Sequence, residues 1–243
     1  MSSLAKYFTI TNPLEKERIF QFVDERRIKC LYHFTDIENI ENIQKYGLQD
    51  SNSLTQRAIQ SRNSGMREFL PDYGIFLSIS GPNDYMRFHK RLSLGKSLVV
   101  LEIEGADSVK NILTQIPFIA SPSNSSSQEV IKMWRVNPDY FRSITGLENQ
   151  FRNIAIREKL VLDAHEPTDP QSEIILLGNI PNSYITRWHI PENLFDYAVQ
   201  RFGDQDCFHK DYKLSQGTRY DLKKAREEKE LRTWRTSWMD LKA

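Results

Sequence analysis

Residues 165–177 read His165-Glu166-Pro167-Thr168-Asp169-Pro170-Gln171-Ser172-Glu173-Ile174-Ile175-Leu176-Leu177. Two prolines break the chain into a turn, and four consecutive aliphatic residues then make a buried strand. A glutamate at that seam stands at the mouth of a sheet. Side chains two apart on a strand share a face, so Gln171 and Glu173 can offer an amide and a carboxylate to one ligand. A fixed negative charge there suits a sugar whose anomeric carbon turns positive as its leaving group departs. The same residues also read, more plainly, as a polar lead-in to a strand.

Upstream, Leu31-Tyr32-His33-Phe34-Thr35 makes a short strand that carries a histidine. Thr35 or Asp36 then caps a helix whose Ile37, Ile40 and Ile43 recur at helical spacing, and Gly47 stops it. Before this strand, Pro13 opens a helix running to Arg27, with Ile19, Phe20 and Val23 on one side. After it, residues 50–70 read as a polar loop with a short helix. Asp72 to Ser80 alternates with period two, placing Phe76, Ser78 and Ser80 on one face. Ser97-Leu98-Val99-Val100-Leu101-Glu102-Ile103 is the strongest central strand. Pro117 to Gln128 reads as a serine-rich loop, 129–160 as polar helices, and 186–190 as a final strand. Short strands between variable helices, with no Gly-x-Gly-x-x-Gly, give an α+β fold and exclude a dinucleotide-binding Rossmann sheet.

The 243 residues, 39% hydrophobic, suffice for one large domain with an appendage. Two cysteines, Cys30 and Cys207, make neither a disulfide scaffold nor a metal site, so the expected compartment is a reducing cytoplasm. The five histidines lack ligand spacing, and no metal is expected. The N-terminus lacks a charged and then apolar pattern, and no stretch nears the roughly 18 apolar residues of a spanning helix, so neither secretion nor membrane insertion is expected. A net charge of +1 gives no basic signature for the whole chain. From Lys210 to Ala243, however, ten Lys and Arg stand against six Asp and Glu, with Tyr220, Trp234 and Trp238 among them. That mixture can track phosphates and stack bases. It equally describes a solvated amphipathic helix packed through Leu222, Leu231, Trp234 and Trp238.

Taken in order, Leu31-Tyr32-His33-Phe34-Thr35-Asp36, Gly47-Leu48, Leu77-Ser78-Ile79-Ser80 with Pro82, Asn83 and Met86, Val99 to Ile103, Pro167-Thr168-Asp169-Pro170-Gln171-Ser172-Glu173-Ile174, and Ile180-Pro181 with Tyr184-Ile185 form a pattern. It resembles the DarT family of nucleic-acid ADP-ribosyltransferase toxins over about residues 25–190. The resemblance implies an ADP-ribosyltransferase fold, two small packed sheets with surrounding helices forming a cleft for NAD, the ADP-ribose donor. It implies a catalytic domain at 1–190 and leaves 191–243 as a helical, aromatic and basic extension packed on it. Position by position it makes Glu173 the catalytic glutamate and puts His33 at the nicotinamide-side ribose, with Thr35 and Asn39 close by. Gln171 would meet the acceptor base. The family's arginine falls on Arg62 first and Arg57 second, to grip the pyrophosphate. Tyr73 would stack on nicotinamide, Ser78 and Ser80 would line the cleft, and Ser80 would support the glutamate. The asparagine-containing segment after the central strand is present as Phe118 to Asn124, with extra serines and a proline, so Asn124 joins the substrate side. The implied activity is transfer of ADP-ribose to a nucleobase in single-stranded DNA or RNA, by a toxin or phage-defence effector with an antitoxin partner. A catalytically inactive nucleic-acid-binding module, working through the tail, is the alternative from another class.

Overall fold

The computed structural model describes residues 6–56, 74–79, 81, 95, 97–125, 127–169 and 171–211. Helix α1, Pro13–Glu25, starts where Asn12 accepts the N–H of Leu14 and proline occupies the first turn. It buries Ile19, Phe22 and Val23. Phe22, at i+3 from Ile19, takes the core position expected of Phe20, which is half-buried. Strand β1, Cys30–Asp36, follows, and Asp36 is the cap, accepting the N–H of Glu38 at the head of a short 3-10 turn. That turn feeds α2, Ile40–Tyr46, whose Ile40 and Ile43 are buried. Gly47 ends it at φ +73°, and a Cβ there would stand 2.1 Å from the carbonyl oxygen of Ile180. Only glycine fits such a position, because the backbone is left-handed and a second chain segment fills the side-chain space.

A short helix α3, Ser51–Gln56, precedes β2, Ile75–Ile79, and then come β3, Leu98–Glu104, and α4, Ala106–Gln115. Phe118–Ser121 is a strand, β4, not the loop expected from the serines that follow it. Its four residues are all buried, so it carries no alternation to read. Helices α5, Gln128–Val136, α6, Ser143–Gln150, and α7, Ile154–Lys159, lead through an irregular stretch to β5, Glu173–Leu176. Strand β6, Arg187–Pro191, is not the last: α8, Glu192–Phe202, carries the chain over to β7, Phe208–Asp211, which pairs parallel to β6. The boundary expected at residue 190 therefore falls inside β6. Residues 192–211 complete the same sheet, and the rest of the expected extension lies outside the described residues.

The fold is α+β, with one sheet of order β4-β5-β2-β1-β3-β6-β7. The two small sheets expected are its two halves, β4-β5-β2 and β1-β3-β6-β7, joined at a narrow seam. Seven register pairs hold β1 to β3, but only Leu31↔Ile79 and Tyr32↔Ser78 hold β1 to β2. Beyond Tyr32 the ladder stops, and residues 33–36 of β1 part from residues 75–77 of β2.

Alternation sorts the side chains. Leu31, Leu77, Ile79, Leu101, Ala120, Ile174 and Leu176 face the larger core, with α1 and α4; Ile119, Ile175 and Leu177 face a smaller one with Phe8, Val130 and Phe141. One residue from each strand of the second half meets on the face away from the larger core. Glu102, only 4% exposed, accepts from Cys30 Sγ at 3.2 Å through Oε1, and its Oε2 lies 2.5 Å from His189 Nε2. Asp211 Oδ2 is 3.4 Å from the other ring nitrogen. This chain of contacts ties β1, β3, β6 and β7 together, and it offsets the desolvation of the glutamate.

Candidate active site

The first residue of β5 is Glu173, 6% exposed, opposite Ser121 in the β4 register. Its carboxylate is held from the loop after β4. Oε2 accepts the backbone N–H of Ser125 at 3.0 Å and the Ser125 hydroxyl at 2.5 Å. Two donors on one carboxylate oxygen are charge-assisted bonds that fix its orientation. Asn124 sits next to this serine, buried, with its backbone carbonyl accepting the N–H of Ser127 at 2.9 Å. From the side of α6, Gln150 Nε2 donates to the backbone carbonyls of Glu173 and Ser121 at 2.9 and 3.0 Å.

The approach to β5 is pinned along its length. Arg157 is buried and its guanidinium donates to the carbonyls of Glu166 and Asp163. Thr168 bonds the end of α6 twice, N–H to the Gln150 carbonyl at 2.8 Å and hydroxyl to the Arg152 carbonyl at 2.6 Å. Ser172 donates its hydroxyl to the carbonyl of Pro122 at 2.9 Å. Gln171 lies within this arrangement at 1% exposure, with its N–H on Asp169 Oδ1 and neither atom of its side-chain amide hydrogen-bonded. The amide expected to face an acceptor is thus shut inside the loop.

His33 stands at the parting of β1 and β2. Its Nδ1 is 2.8 Å from the carbonyl oxygen of Phe76, across the gap where a continuous ladder would have paired the two backbones. A carbonyl only accepts, so Nδ1 carries the proton in this contact. Farther along, Asn39 Nδ2, from the turn after β1, donates to Thr35 Oγ1 on the strand at 2.9 Å, both half-buried. Ser78 is buried on β2, opposite Tyr32. The register Leu77↔Ile174 brings it level with Glu173.

β1 and β5 are the two neighbours of β2, so His33 and Glu173 are two strand spacings apart, roughly 10 Å in a regular sheet. His33 pairs with Leu101 of the larger-core face, whereas Glu173 shares the face of Ile175. Between them, the β1–β2 ladder has ended at Tyr32↔Ser78. Arg57, Arg62, Tyr73 and Ser80 lie outside the described residues. Glu173 is held by Ser125, one of five serines between residues 121 and 127 with nothing in the pattern to single it out. Gln150, in a polar helix, likewise gave no signal.

Cys30 and Tyr32, on the face of β1 opposite His33, do not offer nucleophiles. Burial, then the hydrogen bond to Glu102, pushes the Cys30 thiol up to about 11. Burial, then the neighbouring Cys30, raises the Tyr32 phenol. Among the described residues no three His, Cys, Asp or Glu side chains gather as metal ligands, and no helix is long and apolar enough to cross a membrane.

No family model and no curated protein matches this chain. Among solved structures it is similar to Thermosipho africanus DarTG in complex with ADP-ribose, at 12% identity and a TM-score of 0.49 over 77% of this chain and 51% of that one. The chain spans about half the length of that neighbour.

Proposed function

We propose that this chain is a mono-ADP-ribosyltransferase that cleaves NAD at the nicotinamide glycosidic bond and transfers ADP-ribose to a nucleobase of single-stranded nucleic acid. The observation that carries the reading is the buried Glu173 carboxylate, oriented by Ser125, one strand away from the gap in which Phe76 holds the His33 ring. The donor set suits a ribose. Glu173 accepts a hydroxyl and stabilises positive charge as the carbon–nitrogen bond breaks, and the His33 ring accepts or donates to a second hydroxyl. Thr35, at the far end of β1, and Asn39, in the turn that follows, take the rest of the nucleotide, with an arginine from the 57–62 segment at the pyrophosphate.

Gln171 meets the acceptor base once its side-chain amide turns out of the loop, whose backbone stays pinned. DNA and RNA both offer the edges it needs. A chain that scars nucleic acid works as a toxin or defence effector in the cytoplasm and needs a neutralising antitoxin protein there. The test is incubation with NAD labelled in its ADP-ribose half and matched pools of single-stranded DNA, RNA and protein. Label is expected on an oligonucleotide pool and absent with Glu173→Gln. Label that appears on protein alone, or a Glu173→Gln chain working at the wild-type rate, contradicts the proposal; release as free ADP-ribose makes water the acceptor.

A further inference from the structure

The backbone of Glu173 has an anchor in α6. The helix lies so close to β4 that a Cβ on Gly146 would stand 2.8 Å from the carbonyl oxygen of Ala120 and 2.4 Å from that of Phe141. A glycine is what permits this approach. Gln150 follows four residues later, one turn along the same face, so the close seat delivers its amide to the strand ends. There, at 1% exposure, Nε2 bridges the carbonyls of Ser121 and Glu173, which are register partners. One amide thereby ties the last rung of the β4–β5 ladder. The Gln150 carbonyl also receives the N–H of Thr168, fastening the approach loop to the same residue. Gln150 fixes where the Glu173 backbone stands, and Ser125, from the opposite loop, fixes where its Oε2 points.

We propose that Gln150 and Ser125 are positioning residues of the transferase reaction, holding the Glu173 carboxylate in one orientation before substrate arrives. The proposal rests on the reading of Glu173 as the catalytic carboxylate. Charge fixed in advance needs no reorganisation at the moment of reaction, and a displacement of about 1 Å costs on the order of a hundredfold in rate. Each residue acts through Glu173, so its loss lowers kcat and leaves binding of NAD in place.

The test is steady-state release of nicotinamide by the full chain, with NAD and a single-stranded oligonucleotide pool, alongside thermal melting. The proteins are wild type, Glu173→Gln, Ser125→Ala, Ser125→Thr and Gln150→Leu. Ser125→Ala keeps the backbone N–H and loses the hydroxyl; kcat is expected to fall about tenfold to a hundredfold with KM for NAD and the melting temperature unchanged. Ser125→Thr, which returns the hydroxyl, recovers most of that loss. Gln150→Leu lowers kcat in the same way; should it not fold, Gln150→Glu keeps the shape while turning an acceptor toward the two carbonyls, and its kcat is the one read. Wild-type kcat in Ser125→Ala or in a folded Gln150 variant overturns the assignment for that residue, as does a loss confined to KM. A wild-type chain that releases no nicotinamide, or a Glu173→Gln chain equal to it, overturns the catalytic reading instead and the proposal with it.

Discussion

The amide of Gln171 is buried without a hydrogen bond, while the carboxylate two residues on has two donors on one oxygen. An unmatched buried amide costs about 1–3 kcal/mol, a cost that a purely structural residue has no reason to carry. Replacing it with an apolar side chain of similar size separates stability from function. Gln171→Leu is expected to raise the urea midpoint, by roughly 1 kcal/mol in stability, while cutting transfer to oligonucleotide and sparing nicotinamide release. A lower midpoint together with intact transfer would make the residue an ordinary packing element. Cys30 gives a second forecast at this scale. With its thiol pushed up to about 11, it stays protonated at neutral pH and reacts slowly with thiol reagents, although it is only half-buried. Modification at the rate of a free thiol near pH 8, followed site by site by mass spectrometry, would contradict the burial and the Glu102 contact.

Among the elements, the punctuated ones were legible in the chain. Asn12-Pro13, Asp36 and Gly47 mark helix ends by their chemistry, and the aliphatic runs of β3 and β5 can only be interior strands. β4 and β7 were not legible. Phe118-Ile119-Ala120-Ser121 has a polar residue only at its last position, too little to reveal a period, and Phe208-His209-Lys210-Asp211 gains strand geometry from pairing with β6 across a helix, which is information that no local window contains. The site divides in the same way. Glu173 and His33 stand in distinctive strings, whereas Gln150 owes its role to the approach of α6 to β4 and Ser125 to the path of the loop after β4. Two glycines measure how tightly such approaches are set. Gly47→Ala puts a methyl group 2.1 Å from the Ile180 carbonyl in a left-handed backbone, and a loss of about 2–4 kcal/mol, or roughly 5 to 15 °C in melting temperature, is expected. Gly146→Ala pushes α6 off β4; calorimetry is expected to register a similar loss, with kcat falling further than in Gly47→Ala because Gln150 moves with the helix. Equal activity losses in two equally destabilised variants would remove the special link between α6 and Glu173.

At the scale of the molecule, two half-sheets meet at a seam of two residue pairs, and the face with the buried Glu102 sets the response to alkali. The Cys30 thiol keeps its proton to about 11 in the folded chain against an ordinary value of 9.0. As pH rises past 9 the unfolded chain releases that proton first, so the contribution to stability is complete below about 9 and is lost by about 11. Tyr32, raised in the same direction, extends the loss to higher pH. Cys30→Ala is expected to flatten the fall in urea midpoint between about pH 9 and pH 11; an unchanged slope would place the alkaline transition elsewhere.

The seam also determines whether the two ends of the site act together. His33 and Glu173 stand on either side of β2, on faces that a flat sheet would keep apart, and the proposed function requires one nucleotide to reach both where the β1–β2 ladder ends beyond Tyr32 and Ser78. A double-mutant cycle on kcat/KM for NAD, with His33→Ala, Glu173→Gln and the pair, reads this directly. If both side chains serve the same ribose, the losses are non-additive by at least about 1 kcal/mol. Losses that add to within about 0.5 kcal/mol would mean that the two residues never share a substrate.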